Sequence, residues 1–551
     1  MNQKSSRWSV WTLITLMIFL VMCVCLFYPM IKLFVSAFRD SNDSWTLANF
    51  ARFFSKPYYY KSLFNSIRVT ITVTVICCLI GIPMAYVMAN YDIRGKRFVE
   101  ILIIVSLLSP PFIGAYSWIM LLGRSGLLND AVKAVTGHNM GFNIYGFKGI
   151  VLVFILKLYA YVYMYASGGL SKIDVSLTEA AENLGCSPVK KIFTMVMPLI
   201  MPSIMAAALI VFANTFTDFG TPMLIGQGYR TMPTLVYEEF VGENGGSANF
   251  AAALSMFMLV VTIAICLIQR YVTNRKSFEM SSLRPISSKK PGKVSGVFMH
   301  LFIYLFVFLS LLPQLTVIVS SFKNMKGAVY KEGWGFANYA KAFEKFGNTI
   351  WNTYRFAVIS VLVILVLGML IAYVSVRKPS FLSNILDVTT MFPLVISGTV
   401  LGITLRLSLG AKPFALTGTA LILIISLVIR RLPYTVRSSS AVLKQLSPSV
   451  EEASISLGCS PMKTFLKITG PLMLSGVFSG LILSWVTLIT ELSSSVLLRT
   501  GKTETMSVAI YVQVYRNEFG PAAALASILT LTIIVSLALF FKLTGKKSIA
   551  L

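Results

Sequence analysis

Charge is scarce in this 551-residue chain, and acid is scarcer still: Asp, Glu, Lys and Arg make up only 13% of it, and 21 acidic residues stand against 48 basic ones. A soluble protein carries about a quarter of its residues charged, so ordinary soluble domains are excluded for most of the length. Histidine is nearly missing. His138 and His300 stand far apart without ligand spacing, which gives metal chemistry no starting point and leaves each as an ordinary polar or interfacial side chain. The seven cysteines offer no disulfide framework, because Cys23, Cys25, Cys77, Cys78 and Cys266 lie in apolar runs and Cys186 and Cys459 in polar connections. With so few acids inside the apolar runs, no catalytic constellation can be assembled, and the sequence supplies neither a catalytic residue nor a metal ligand.

What is abundant is apolar sequence, 56% of the chain. Uncharged runs able to cross roughly 30 Å of hydrocarbon recur throughout, at Val10–Tyr28, Val69–Tyr91, Ile101–Gly123, Pro198–Thr217, Ala251–Ile268, Val294–Phe322, Phe356–Val376, Val388–Leu405, Phe414–Ile429, Ile468–Thr490 and Gly520–Phe541. Gly149–Gly169, interrupted by Lys157, brings the expectation to about twelve transmembrane helices in an all-α polytopic membrane protein. The first run is too long for a secretory signal and lacks a small-residue cleavage site, so it reads as a retained span.

The net charge of +27 raises nucleic acid as a partner, but the basic residues cluster where membrane topology puts them. The clusters are Arg94, Lys96 and Arg97; Lys190 and Lys191; Arg270, Arg275, Lys276, Arg284, Lys289, Lys290 and Lys293; Arg377 and Lys378; Arg430, Arg431 and Arg437; and Lys542, Lys546 and Lys547. With the amino terminus in the cytoplasm, counting spans places every cluster, and both termini, inside. The partner this implies is the lipid bilayer, not nucleic acid.

The chain is also a tandem duplication. Asn65, Arg68, Gly81, Ala85 and Tyr86 match Asn352, Arg355, Gly368, Ala372 and Tyr373 (65 to 352, an offset of 287). Glu179, Gly185, Cys186, Ser187, Pro188 and Pro198 match Glu452, Gly458, Cys459, Ser460, Pro461 and Pro471 (179 to 452, an offset of 273), and Asp218 falls on Glu491 at that same offset. Ala251–Leu254 matches Ala522–Leu525. Residues 1–273 and 294–551 are the two repeats, joined by the basic, Ser- and Pro-containing linker Asn274–Lys293. About six helices per repeat makes the repeats parallel, related by an axis along the membrane normal, with a path enclosed between them.

One segment per repeat, 179–198 and 451–471, is too polar to span and too regular to be a casual loop. Glu179-Ala180-Ala181-Glu182-Asn183-Leu184-Gly185 runs on to Met195-Val196-Met197-Pro198; Glu451-Glu452-Ala453-Ser454-Ile455-Ser456-Leu457-Gly458 runs on to Ile468-Thr469-Gly470-Pro471. Small residues let another protein approach a short helix, Gly permits a turn, and Ser-Pro restarts a helix because Pro suits a first turn. A projecting helix-turn-helix on the cytoplasmic face follows.

These residues resemble the signature of type I ABC importer permeases: Glu-Ala-Ala, three residues, Gly, nine residues, Ile-x-Leu-Pro. Met195 and Met197 stand for Ile and Leu, Ser454 for the second Ala and Gly470 for Leu. The resemblance implies a coupling helix in each half, docking a separate ATPase subunit through Glu179, Ala180, Ala181, Gly185 and Pro198 and through Glu451, Glu452, Ala453, Gly458, Ile468 and Pro471. Its partners are then two copies of a cytoplasmic ABC ATPase and an extracytoplasmic binding protein, in the bacterial cytoplasmic membrane. ATP and Mg belong to the ATPase, and no cofactor belongs to this chain.

Asp218 and Glu491 end the helix after each coupling segment, in Thr217-Asp218-Phe219-Gly220 and Thr490-Glu491-Leu492-Ser493. An ionisable group at membrane depth points to the translocation path; the other reading is a carboxylate that caps or orients a loop. Lys157 and Arg406 read as snorkelling or paired. The two acidic segments, with Gly226-Gln227-Gly228-Tyr229 and Thr505–Tyr511, are similar to the ferric-iron branch of fused permeases, whose neighbours serve phosphorylated sugars, aminophosphonates, thiamine and polyamines. Gly501-Lys502-Thr503 is no phosphate loop, since Val496 stands where Gly is required. The competing classes are an ion-coupled secondary transporter, which needs no paired coupling signature, and a membrane enzyme, which needs a constellation the chain lacks.

Overall fold

Lipid offers backbone groups no hydrogen-bonding partner, so apolar runs must close their bonds as helices. The computed structural model describes residues 10–40, 42–124, 126–138, 143–242, 247–275, 288–327 and 329–544 and makes most of every run helical. In chain order the first repeat holds Val10–Ala37, Pro57–Asn90, the pair Lys96–Leu107 and Phe112–Asn129, Phe147–Leu170, Pro188–Thr217 and Ala248–Ile268. The second holds Lys293–Phe322, Ala337–Arg377, the pair Phe381–Val395 and Gly398–Ser408, Ala420–Gln445, the pair Pro461–Leu474 and Gly476–Ile489, and Phe519–Lys542. Among the described residues, eight of these units are long and apolar enough to cross a bilayer alone and three more qualify as bent pairs. Ala420–Gln445 has the length but carries Arg430, Arg431, Arg437 and Lys444. Most of the linker, 276–287, lies outside the described residues.

Three expected spans are bent, Ile101–Gly123 and Val388–Leu405 sharply and Ile468–Thr490 by 66°. The first bends by 98° at Ser109-Pro110, where Pro removes an N–H and drives the preceding residue into extended backbone. The second bends by 114° at Ile396-Ser397, both extended, with Ser397 Oγ accepting the Val400 N–H at 3.2 Å to start the new helix. Phe414–Ile429 is also redrawn: the helix begins at Ala420 and runs on through the arginines to Gln445.

Proline shapes three helices more gently. The π turns Cys23–Phe27, Ile192–Val196 and Phe465–Thr469 each end two residues before a proline, Pro29, Pro198 and Pro471. The proline ring presses on the carbonyl four residues back; an extra residue in the turn moves that carbonyl aside and keeps the helix continuous.

Within each repeat the second helix lies against the fourth, and a glycine sets the approach. A Cβ on Gly81 would stand 2.7 Å from Val162 Cβ, and one on Gly368 would stand 2.7 Å from Thr435 Cγ2. Between repeats, the first helices are exchanged. Trp11 packs on Tyr373 and Phe465 of the second repeat, at centroid distances of 4.4 and 5.4 Å, and the far end of the same helix lies along Gly398–Ser408. Lys293–Phe322 in turn lies against Lys96–Leu107 and Phe112–Asn129 of the first repeat. Each half therefore clasps the other, and the seam between them runs through the centre of the molecule.

Candidate functional site

The two polar segments fold alike, because the same local signals recur. In the first repeat, Asp174 caps the helix Val175–Asn183 by accepting the Ser176 N–H at 2.9 Å; Gly185 turns the chain at φ +78°; and Ser187 accepts the Lys190 N–H at 3.4 Å to restart a helix at Pro188. In the second, Ser449–Ser456 is followed by Gly458 at φ +88°, and Ser460 accepts the Lys463 N–H at 3.4 Å ahead of Pro461. Each Gly occupies left-handed backbone that a side chain resists. The segments lie at one end of the molecule, together with Trp11, Arg377 and the end of the linker, where the Lys289 N–H donates to Asn90 O at 2.8 Å.

Their side chains divide into an outer and an inner set. Glu179, Ala180, Gly185, Glu452, Ala453 and Gly458 are exposed, Ala181 is half-buried, and Pro198 and Pro471 are exposed where the long helices begin. Leu184 and Leu457, equivalent at the 273 offset, are each 86% exposed, which a leucine in a polar segment reaches only if nothing within the chain covers it. Glu451 belongs to the inner set. Its carboxylate takes Arg377 Nε at 3.1 Å and the Tyr373 hydroxyl at 3.0 Å, tying the short helix to Ala337–Arg377. Ser454, the departure from Ala, is buried in a hydrogen bond with Thr464 Oγ1 at 2.9 Å. In the first repeat the tie is Lys191 to Glu182, whose carboxyl the lysine holds below the usual carboxylate range.

The second constellation lies on the seam. Glu491 follows the helix ending at Ile489 and is buried; its Oε2 meets Arg430 Nε at 3.0 Å and Arg431 Nη2 at 2.5 Å, while its Oε1 accepts the Ser494 N–H at 3.3 Å. Asp218, its equivalent, accepts the Thr221 N–H at 2.8 Å and sits in the electrostatic field of Lys157 and, across the seam, of Arg430. Lys157 and Arg430 are themselves equivalent (157 to 430), as are Tyr161 and Tyr434, which lie within electrostatic range of each other across the seam. Gly398 makes room for the arginine: a Cβ there would stand 2.0 Å from Arg430 Nη1. Beside Lys157, a cavity of about 20 Å³, room for about one water, is lined by Ser106, Ser109, Ser310 and Gln314.

One sequence expectation changes here. Arg430 and Arg431 are not an inner-face cluster: they lie about ten residues, or roughly 15 Å, inside Ala420–Gln445 and are held there by the Glu491 carboxylate. Arg406 follows the paired reading: its Nη1 donates to Leu497 O at 2.9 Å and its guanidinium lies over Phe240. Of the alternatives for the acids, the capping geometry describes both Asp218 and Glu491, and Glu491 adds the ion pairs. The arginines were within reach of the sequence, because the 273 offset carries Lys157 onto Arg430. Leu184 and Leu457 carried no such signal beyond their shared offset.

Among the described residues, twelve helical units in two parallel repeats, with a polar helix-turn-helix in each, define the membrane component of a transporter. The sequence profile of the binding-protein-dependent transport system inner membrane component family matches residues 80–278 and 364–547, and the chain belongs to that family. Among its relatives, the ferric transport system permease protein FbpB of Actinobacillus pleuropneumoniae is 28% identical over 96% of this chain and 77% of its own length. A putative ferric transport system permease of Haemophilus influenzae is 28% identical over 90% of this chain and 78% of its own. A putative 2-aminoethylphosphonate permease of Salmonella paratyphi A is 24% identical over 48% of this chain and 91% of its own. A bacterial alginate ABC transporter solved with its pentasaccharide-bound periplasmic protein superposes at a TM-score of 0.42 and 15% identity, covering 48% of this chain and 94% of the neighbour.

Proposed function

We propose that the chain forms both halves of the path of a ferric-iron importer and docks two copies of a cytoplasmic ABC ATPase, one per coupling segment, while an extracytoplasmic binding protein delivers the cargo. The names of the fused relatives, which match over nearly the whole chain, support iron. The observation that carries the mechanism is the pair of like-folded segments at one end, each offering an exposed Glu, an exposed Leu and a left-handed Gly on short helices tied to the membrane helices behind them. ATP and Mg belong to the docked subunits, and closure of those subunits moves the two segments and, through Pro188–Thr217 and Pro461–Ile489, the seam. The segments, both termini and the linker are cytoplasmic in this reading.

The seam favours a refinement of the cargo. Lys157, Arg430 and Arg431 outnumber Asp218 and Glu491, and Arg430 Nη1 and Arg431 Nε have no hydrogen-bond partner within the protein. Buried cations with open donors repel a bare metal cation and favour oxygen-bearing anions. Iron then crosses as an anionic complex, and an organic phosphonate is the second reading. The test is Glu179→Ala and Glu452→Ala, singly and together, in permease–ATPase complexes reconstituted in proteoliposomes. Normal insertion with reduced ATPase association and cargo uptake, worst in the double variant, is expected. Unchanged uptake and an unchanged complex in the double variant would refute coupling through these residues; uptake of phosphonate but not of iron would move the cargo to the second reading.

A further inference from the structure

Away from the seam's centre, an open groove of about 420 Å³ separates Lys96–Leu107 of the first repeat from Lys293–Phe322 of the second. Its walls are Phe98, Val99 and Leu102 on one side and Val307, Phe308 and Leu311 on the other. Phe98 is 65% and Phe308 54% exposed, so the groove presents aromatic and aliphatic surface outward from the helix bundle. At bilayer depth the medium that meets such a surface is hydrocarbon chain. The groove has one polar end, formed by Arg94, Gly95 and Tyr304.

That end is built rigidly. The Tyr304 hydroxyl donates to Arg94 O at 2.6 Å, and the Arg94 N–H donates to His300 Nε2 at 3.2 Å while His300 Nδ1 meets Gly296 O at 2.6 Å. The backbone of Arg94 is thereby fixed to the opposite wall, and its exposed side chain is left at the mouth. The linker's end returns to the same place: the Asp92 N–H donates to Lys289 O at 3.0 Å, which sets Lys289 and Lys290 beside Arg94, Lys96 and Arg97. The acids of this neighbourhood are Asp92, Glu100 and Glu182, and Glu182 is already paired with Lys191. Cations prevail at the mouth and apolar carbon fills the rest.

We propose that this groove is a binding site for an anionic membrane phospholipid, with one acyl chain between Phe98–Leu102 and Val307–Leu311 and the phosphate against Arg94. In a zwitterionic headgroup the ammonium offsets the attraction of the phosphate to the mouth, whereas a net anionic one gains from the nearby cations, most from Arg94, the one that lines the groove. Because the two walls come from different repeats, the lipid bridges the seam on its outer side. The proposal is independent of the cargo and of the coupling reading.

The full-length chain, purified in mild detergent, is mixed with equimolar phosphatidylglycerol and phosphatidylcholine and the retained lipid is counted by native mass spectrometry. Phosphatidylglycerol should be retained preferentially, with its occupancy falling about five-fold in Arg94→Gln, the worth of one basic side chain near an anionic charge. Arg97→Gln, in the same basic cluster but outside the groove lining, should lower it less. Leu102→Trp, which fills the groove, should lower retention of the chain whatever the headgroup. Equal retention of the two lipids, or equal effects of Arg94→Gln and Arg97→Gln, overturns the proposal. If Leu102→Trp fails to fold, the two arginine variants decide alone.

Discussion

Glu491 and Asp218 occupy equivalent positions and should respond very differently to the same truncation. Glu491 lies 3.0 and 2.5 Å from two guanidinium groups, and its side chain is 3% exposed. At an effective dielectric constant of about 20, each contact is worth on the order of 5 kcal/mol of gross attraction, offset by the desolvation of three ions. Removing the carboxylate leaves Arg430 and Arg431 buried side by side without compensation, and breaking a buried pair in this way costs about 3–5 kcal/mol. Asp218 mainly caps the Thr221 N–H at 2.8 Å, an interaction worth about 1 kcal/mol. Glu491→Ala and Asp218→Ala are compared in detergent by titration with sodium dodecyl sulfate, following helicity by circular dichroism. The Glu491 variant should lose several-fold more stability, and Glu491→Leu combined with Arg431→Leu should recover part of it. Equal losses at the two positions refute the assignment of Glu491 as the counter-ion of the seam.

Three further outcomes are expected. Glu451→Gln should loosen the second coupling segment from Arg377 and Tyr373, raising hydrogen exchange over residues 449–456 with no change at 175–183; equal protection in variant and parent contradicts the tie. Gly398→Ala should push the Arg430 guanidinium off Glu491 and destabilise the chain by about 1–3 kcal/mol, whereas Gly335→Ala, whose Cβ meets nothing, should cost less; a reversed order contradicts the packing. Cysteines placed at Ser187 and Ser460 should resist a membrane-impermeant thiol reagent in intact cells and react in inverted vesicles; labelling from outside overturns the topology.

The repeats were legible because a duplication leaves constant offsets, and at 273 one offset joins Glu179 to Glu452, Gly185-Cys186-Ser187-Pro188 to Gly458-Cys459-Ser460-Pro461 and Asp218 to Glu491. The helix-turn-helix was legible because Gly and Ser-Pro act locally: the φ of Gly185 and Gly458 and the caps at Ser187 and Ser460 are those the residue types favour. Bends were not, since hydropathy measures the length of an apolar run and says nothing of its direction; Ser109-Pro110 gave a warning and Ile396-Ser397 gave none. Nor could charge counting separate Arg430 and Arg431 from inner-face arginines, because the carboxylate that keeps them buried stands about sixty positions away in sequence. The inward turn of Glu451 is equally a tertiary matter, set by Arg377 and Tyr373 on another helix.

The central claim is that both repeats dock an ATPase through the same short helix. It is tested most directly by placing a cysteine at Ala180 or at Ala453, exposed positions in the two segments, and cross-linking each, with a short thiol-reactive reagent, to single cysteines in the groove of the partner ATPase. Each position should give one cross-linked ATPase copy, and the double variant should give two copies per chain, with the yield changing when ATP is bound. Cross-linking from only one segment, or a stable active complex holding a single ATPase copy, contradicts the account.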